Sequence, residues 1–354
     1  MVTQIVKCPN CKNKITLHGI SGEQIHIICP TCNQKGLYTF PEGKSEVKEK
    51  SDSFAIEVDG LVKMFNGFKA VDNVSFKVKK GEIFGFLGPN GAGKTTTIKS
   101  ILDLIHSNKG QVKINGLDMK RSRKEAKKLV GYLPEKVAFY DNLTALQNLY
   151  FYAEMKKASK GECKKLIEEF GLKDAIDKKV GKFSKGMAQR LGMARAVLGS
   201  PPILILDEPS GGLDPRGVVL IRDKIKEMRE KGSAIFVSSH ILSEIQAVCD
   251  RVGIINHGVI VAEDTVTELS NKLNLKPKMT VELENISDKI AKAVKDIEGI
   301  ADVQVINKIL NVICDSKLRA KVILAISSAG GNIINLHTSE PSLEEVFMKF
   351  TEEK

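Results

Sequence analysis

Residues 88–95 read Gly88-Pro89-Asn90-Gly91-Ala92-Gly93-Lys94-Thr95, a G-x-x-x-x-G-K-[ST] run. The stretch before it, Ile83-Phe84-Gly85-Phe86-Leu87, is continuously apolar, as expected of a parallel strand buried on both faces. Thr96-Thr97-Ile98-Lys99-Ser100-Ile101-Leu102 then opens a helix. Strand, glycine-rich turn and helix in that order commit this part of the chain to an α/β sheet with a phosphate-binding turn. Glycines let successive N–H groups point inward around a polyphosphate, and the helix N-terminus adds its positive dipole end. Lys94 is then placed for the β/γ-phosphates and the Thr95 hydroxyl for Mg²⁺. The competing reading is a glycine-rich turn that matches by chance.

A chain of 354 residues has room for two or three domains. Of the net charge of +11, residues 54–270 carry most, with 35 Lys+Arg against 26 Asp+Glu. Such an excess suits nucleic acid, anionic lipid or the chain's own nucleotide. No apolar run of about eighteen residues occurs and the polar N-terminus lacks a signal-peptide core, so a soluble or membrane-peripheral chain is expected. Seven cysteines, four of them in C-x-x-C pairs, fit a reducing cytoplasm better than a disulfide framework.

Cys8-Pro9-Asn10-Cys11 and Cys29-Pro30-Thr31-Cys32 are spaced for a four-thiolate Zn²⁺ site. A segment of about forty residues needs such a staple to fold. With short strands expected over 24–28 and 36–40, residues 1–40 read as a zinc ribbon. A redox dithiol would need only one C-x-x-C and a βαβ setting. His18 and His26 stand as substitute ligands or as ordinary polar residues. Residues 41–53, nearly devoid of apolar side chains and alternating in charge, read as a linker.

Alternating stretches around Ile56-Glu57-Val58 and Val74-Ser75-Phe76-Lys77-Val78 flank the turn Asn66-Gly67 and predict a hairpin. A strand is expected over 111–115, a basic helical run over 120–128, and a strand over 130–133 ending at Pro134-Glu135. The basic run reads as a solvated face or as a lipid or nucleic-acid patch. Residues 144–198 are mainly helical, and within them Phe183-Ser184-Lys185-Gly186-Met187 leads into a helix, a second candidate anion site.

Ile203-Leu204-Ile205-Leu206 ends in Asp207-Glu208. Ligands of open α/β sheets sit beyond the carboxyl ends of the strands, so this acidic pair faces the phosphate loop. Asp207 is placed for Mg²⁺, and Glu208 to orient or deprotonate a water. A further strand at Ala234-Ile235-Phe236-Val237 leads to His240, either structural or a third member of the site.

Taken together, residues 54–270 resemble the ATP-binding-cassette (ABC) ATPase family, with the motifs in the family's order. The resemblance implies ATP and Mg²⁺ as ligands. It makes Gly88–Thr95 the Walker A loop, continued by Thr96, and Ile203–Asp207 the Walker B strand. Glu208 becomes the catalytic carboxylate, Phe65 the aromatic that stacks on adenine, Asp214 part of the D-loop and His240 the switch histidine. Two departures stand out. Phe183-Ser184-Lys185-Gly186-Met187 replaces LSGGQ while keeping Ser184 and Gly186, the positions that meet the γ-phosphate. Glu135 stands where the family presents a Gln to Mg²⁺ and water.

Both departures, and the ending Pro341-Ser342-Leu343-Glu344-Glu345-Val346-Phe347, resemble the subgroup that serves ABC-2 type exporters. The family pairs two cassettes head to tail, so a homodimer closing on ATP is implied, together with a separate transmembrane permease and a cytoplasmic, peripheral place for this chain on the inner face of the cell membrane. Residues 271–354 predict the order βαββαβ and a final helix, a small ferredoxin-like α+β domain. The expected fold is thus an α/β P-loop cassette with antiparallel and helical subdomains, preceded by a zinc ribbon. The expected function is ATP hydrolysis powering export. A soluble ATPase acting on nucleic acid or ribosomes is the alternative, but the tandem cassettes or coiled coil of such proteins are missing, so no nucleic acid is expected. A non-hydrolysing regulator, with Glu135 disabling the metal site, is the third reading.

Overall fold

In the computed structural model, which describes residues 2–19, 23–39 and 54–352, the apolar run Ile83–Leu87 lies inside a six-stranded sheet. The spatial order is Val130–Leu133, Ile203–Asp207, Ala234–Ser239, Ile83–Leu87, Arg251–Asn256 and Val259–Asp264. The first five strands are parallel, and the last pairs antiparallel with its neighbour. Every residue of the three strands Ile83–Leu87, Ile203–Asp207 and Ala234–Ser239 is buried, which is why they read as unbroken apolar runs.

A second sheet, antiparallel, runs Phe68–Lys79, Phe54–Phe65, Lys109–Ile114 and Leu117–Asp118. Its hairpin turns at Asn66 (φ +46°) and Gly67 (φ +85°), the paired left-handed residues of a two-residue turn whose twist matches the strands. The alternation in Phe68–Lys79 buries Val74, Phe76 and Val78. Phe76 thereby meets Phe84, Phe86 and Phe236 of the parallel sheet at ring separations of 5.4, 5.6 and 5.4 Å. These aromatic contacts fasten one sheet to the other.

The helical stretch contains Ala145–Lys156, Lys160–Glu169 and Lys185–Val197. Thr144 and Gln147 close the first of these with reciprocal side-chain to backbone bonds, a capping box. The basic run is shorter as a helix than expected, covering only Arg123–Lys128. The cause is Asp118, whose Oδ1 accepts from the amides of Lys120 (2.8 Å) and Arg121 (3.1 Å) and holds them in a turn.

Toward the C-terminus a four-stranded antiparallel sheet is ordered Ile300–Ile306, Ile309–Cys314, Lys278–Leu283, Ile333–Ser339, with helices Asp288–Lys295 and Arg319–Ser328. Met279, Val281 and Leu283 share a core with Ile290, Val294, Val322 and Ile326. The connectivity is ferredoxin-like. The helix Val266–Lys272 runs across residues 270–271, where a domain boundary is expected. The final helix, Leu343–Glu352, leaves the small sheet. Its Leu343 and Val346 join the core of the helical stretch, and the Leu343 amide donates to Gln246 Oε1 at 2.9 Å.

Residues 1–51 form a unit distinct from 52–354. It has two hairpins, Val2–Lys7 with Lys14–Gly19, which the sequence pattern does not announce, and Gln24–Ile28 with Lys35–Thr39. The last strand begins at Lys35, one residue before the expected start, while Phe40 and the expected linker 41–53 lie outside the described residues. The two cysteine turns repeat one geometry. Cys8 N donates to Asn13 O and Lys12 N to Cys8 O, matched by Cys29 N to Gln34 O and Asn33 N to Cys29 O, all at 2.9 Å. Lys12 (φ +60°) and Asn33 (φ +54°) take the same left-handed position.

Candidate functional site

Only glycine fits two positions of the phosphate loop. A Cβ on Gly88 would stand 2.4 Å from the Ile255 carbonyl oxygen. At Gly93, φ is +106° and a Cβ would stand 2.5 Å from the Ala70 carbonyl oxygen. The loop is therefore pressed onto the sheet and turns directly into the helix Lys94–Ile101. Lys94 is 7% exposed, and its Nζ donates to Gly88 O (2.7 Å) and Pro89 O (3.3 Å). The cation is thus folded back over the cradle its own loop makes.

The parallel sheet delivers the acids. Asp207, fully buried at the end of Ile203–Asp207, accepts from Ser238 Oγ at 2.6 Å through Oδ1, while its Oδ2 has no hydrogen-bond partner among the described residues. Burial pushes the Asp207 carboxyl above the usual aspartate range. The Ser238 and Thr95 hydroxyls pull it back, and the charges of Glu135 and Glu208 add to the rise. A buried carboxylate oxygen left unsatisfied beside a threonine hydroxyl is a donor set that suits a hard divalent cation such as Mg²⁺.

Glu208 follows at φ +52°, a left-handed conformation costly for a side chain with a Cβ. Its amide donates to Ser238 O (3.2 Å) and Ser238 Oγ (3.1 Å), and its carbonyl accepts from Gln189 Nε2 at 3.1 Å. The carboxylate reaches two cations or potential cations, with Oε1 3.6 Å from Lys94 Nζ and Oε2 2.7 Å from His240 Nδ1.

Lys94, Glu208, Gln189 and His240 line one open cleft of 710 Å³, while Asp207 and Ser238 lie buried behind it. Pro89, Asn90, Gly91, Gly93, Lys94, Thr95, Thr96, Glu135, Glu208 and His240 all face it, with Gly88 and Ala92 buried beneath the loop. Phe65 does not line the cleft. It is half-exposed, with the Lys63 ammonium 4.7 Å from its ring centroid. Ser184, Gly186 and Asp214 do not line it either. Ser184 Oγ accepts from Met187 N at 3.2 Å and Asp214 Oδ1 from Gly217 N at 2.8 Å, so both cap helices. Gly186 lies against Gly212, where a Cβ would come 3.2 Å from the carbonyl oxygen.

The pattern of residue types misses Ser238 and Gln189. The signal for Ser238 is a hydroxyl at the end of a buried apolar strand, where it needs a polar partner. Gln189 is a buried amide in an otherwise apolar-periodic helix, and it too needs one.

In the N-terminal unit the four Sγ atoms of Cys8, Cys11, Cys29 and Cys32 lie within 4.8 Å of one another. Cys8 to Cys32 is 3.6 Å and Cys11 to Cys29 is 3.5 Å. That is too far for disulfides at about 2.05 Å. It is close to the roughly 3.8 Å edge of a tetrahedron of thiolates about 2.3 Å from zinc. The Thr31 amide, against burial, brings the Cys29 thiol down to about 6, and the Cys11 amide lowers Cys8. Cys11 is held at about 12 despite the Asn13 amide, by burial and its three thiol neighbours. His26 is exposed and outside the cluster, and the His18 side chain lies outside the described residues.

Comparison with known proteins agrees with this geometry. The family model described as "ABC transporter" matches residues 71–211. The linearmycin resistance ATP-binding protein LnrL of Bacillus subtilis is 32% identical over 84% of this chain and 98% of its own length. The bacitracin transport ATP-binding protein BcrA of Bacillus licheniformis is 38% identical over 84% of this chain and 97% of its own. A solved structure titled as the ATP binding subunit of an ABC transporter superposes with a TM-score of 0.59 at 31% identity, covering 62% of this chain and 93% of that one. The likeness to these relatives runs along nearly their whole length, and the chain belongs to the ABC transporter ATP-binding protein family.

Proposed function

We propose that this chain hydrolyses ATP in the 710 Å³ cleft to drive a separate transmembrane permease, in the direction of export. The observation that carries the hydrolytic reading is Glu208, whose carboxylate lies at the cleft 3.6 Å from Lys94 Nζ and 2.7 Å from His240 Nδ1. The loop amides and Lys94 hold the phosphates. Glu208 orients the attacking water and accepts its proton, and His240 holds the Glu208 carboxylate and meets the γ-phosphate. Thr95 and Asp207 hold Mg²⁺, with Glu135 at the cleft wall in place of the family's Gln. When bound, that ion neutralises charge developing on the phosphates.

Ser184 and Gly186 serve the ATP of a second copy, and Asp214 lies in the loop between the two sites. Phe65, on the rim, stacks on adenine. Two cassettes closing head to tail on ATP form the working unit, and Ser184 and Gly186, which have no place in their own chain's cleft, support that arrangement. The departures at Phe183, Lys185, Met187 and Glu135 support membership of the ABC-2 exporter subgroup. The names of LnrL, for linearmycin resistance, and BcrA, for bacitracin transport, favour an antibiotic as cargo.

Among the described residues no helix is long and apolar enough to cross a membrane, in keeping with a permease on a different chain and a peripheral position at the inner membrane face. Residues 1–40 act as a zinc ribbon in which Cys8, Cys11, Cys29 and Cys32 hold Zn²⁺ in a closed structural site.

ATP turnover of wild type against Glu208→Gln tests the reading. The variant is expected to bind ATP, lose hydrolysis and accumulate as an ATP-bound dimer on size exclusion. Equal turnover would remove Glu208 from the chemistry. Co-purification of a membrane protein with the tagged chain after crosslinking tests the permease.

A further inference from the structure

Gln189 is 3% exposed, and its Nε2 lies 3.1 Å from the carbonyl oxygens of both Glu208 and Pro209. Both partners are acceptors, so the amide nitrogen must face them. Ser238 holds the other side of the same peptide through the Glu208 amide. A glutamate at φ +52° persists only where its surroundings over-determine it, and here both backbone groups of Glu208 are taken. The conformation matters because it sets where the side chain leaves the strand, toward Lys94 and His240.

Gln189 also sits on a particular helix. Lys185–Val197 starts at Ser184, its N-cap, and Gly186 is in its first turn. One rigid helix therefore carries both the loop offered to a second copy's nucleotide and the side chain that fixes Glu208 at its own site.

We propose that Gln189 is a positioning residue that holds Glu208 in its left-handed conformation and links the state of the Ser184 loop to the aim of that carboxylate. The proposal rests on the reading of Glu208 as the group that activates water. Binding of ATP under the Ser184 loop of one chain then bears, through the helix and Gln189, on Glu208 of that same chain, which acts on the other nucleotide.

The test compares wild type, Gln189→Ala, Gln189→Met and Glu208→Gln in the full chain, measuring steady-state ATP turnover and binding of a fluorescent ATP analogue. Methionine keeps the length and apolar volume of the side chain but cannot donate. Both Gln189 variants are expected to lose about 10- to 100-fold in kcat, as for a misaimed catalytic group, with analogue affinity unchanged. Gln189 borders the cleft, but its amide N–H groups are turned to the Glu208 and Pro209 carbonyls, so the double variant Glu208→Gln, Gln189→Met is expected to form the ATP-bound dimer still. In a double-mutant cycle, Ser184→Ala and Gln189→Met are expected to be non-additive in kcat. Wild-type kcat in Gln189→Met, with or without loss in Gln189→Ala, would overturn the proposal. So would a fall in analogue affinity parallel to kcat. Additive effects in the cycle would overturn the link to Ser184. Wild-type turnover in Glu208→Gln would instead remove the reading of Glu208 itself, a result distinct from an unimpaired Gln189→Met beside a dead Glu208→Gln.

Discussion

His240 Nδ1 lies 2.7 Å from Glu208 Oε2, although the two residues are 32 positions apart. The pairing follows from strand register. Asp207 is opposite Ser238 in adjacent parallel strands, so the residues that leave those strands emerge together at the carboxyl end of the sheet. Lys94 comes from the neighbouring strand's turn, and its ammonium meets the other Glu208 oxygen at 3.6 Å. Lys94 and His240, remote from each other in sequence, thus share the Glu208 carboxylate.

His240→Ala is expected to lower ATP turnover about 100-fold, the lower end of what a positioned acid–base group supplies, while leaving ATP binding near wild type. His240 is half-exposed, so its loss leaves no core cavity and the melting temperature is expected to hold. Turnover and analogue binding, measured together, check this.

Asp207→Asn is expected to abolish the extra thermal stability that Mg²⁺-ATP confers, yet raise the melting temperature of the metal-free protein. The Asp207 carboxyl is raised above the ordinary 3.8 by burial, so the folded state retains a proton that the unfolded state releases. The metal-free chain should therefore lose stability as pH rises from about 3.8 through the raised value. The orphaned Oδ2 costs on the order of 1–3 kcal/mol. Thermal melts of both proteins across pH, without metal, should show a flatter profile for the variant.

Cys29→Ser, or a chelator strong enough to remove zinc, is expected to unfold residues 2–39 and release about one Zn²⁺ per chain. Among the described residues the cores of the larger unit begin at Ala55, so its melting transition and ATP-analogue binding should persist. Metal content by emission spectroscopy and hydrogen exchange of the two units check both halves.

Leu343→Ala is expected to destabilise the cassette by about 2–5 kcal/mol, the range for emptying a fully buried leucine site. The site belongs to a core that includes Leu133, Leu149, Leu191 and Leu206, far away in sequence. Denaturant unfolding should show a lower midpoint for the unit as a whole, including the nucleotide site.

Much of this was legible where the signal is local. The run Ile83–Leu87 is buried throughout, and Gly88 and Gly93 are confined by the Ile255 and Ala70 carbonyls. Asn66-Gly67 makes the expected two-residue turn, and the two C-x-x-C turns bring four sulfurs together. The first N-terminal hairpin escaped because Val2–Lys7 and Lys14–Gly19 carry no turn dipeptide of the Asn-Gly kind. Periodicity assigns Lys120 and Arg121 to the basic helix, but Asp118 draws both of their amides into a turn.

The amino-acid sequence by itself determined the elements and their chemistry. Glycine placement, apolar period and cysteine spacing act within a few residues, through sterics and side-chain direction that need no partner. Tertiary structure alone decided which of those residues meet. It put Ser238 between Asp207 and Glu208, set Gln189 under the Glu208 carbonyl, and kept Ser184, Gly186 and Asp214 off the chain's own cleft. It also sent Leu343 and Val346 of the final helix into a core whose first member is Ile83. The reason is physical. Strand register and burial are set by contacts between segments remote in sequence, and an orphaned buried oxygen such as Asp207 Oδ2 exists only after those segments have closed around it.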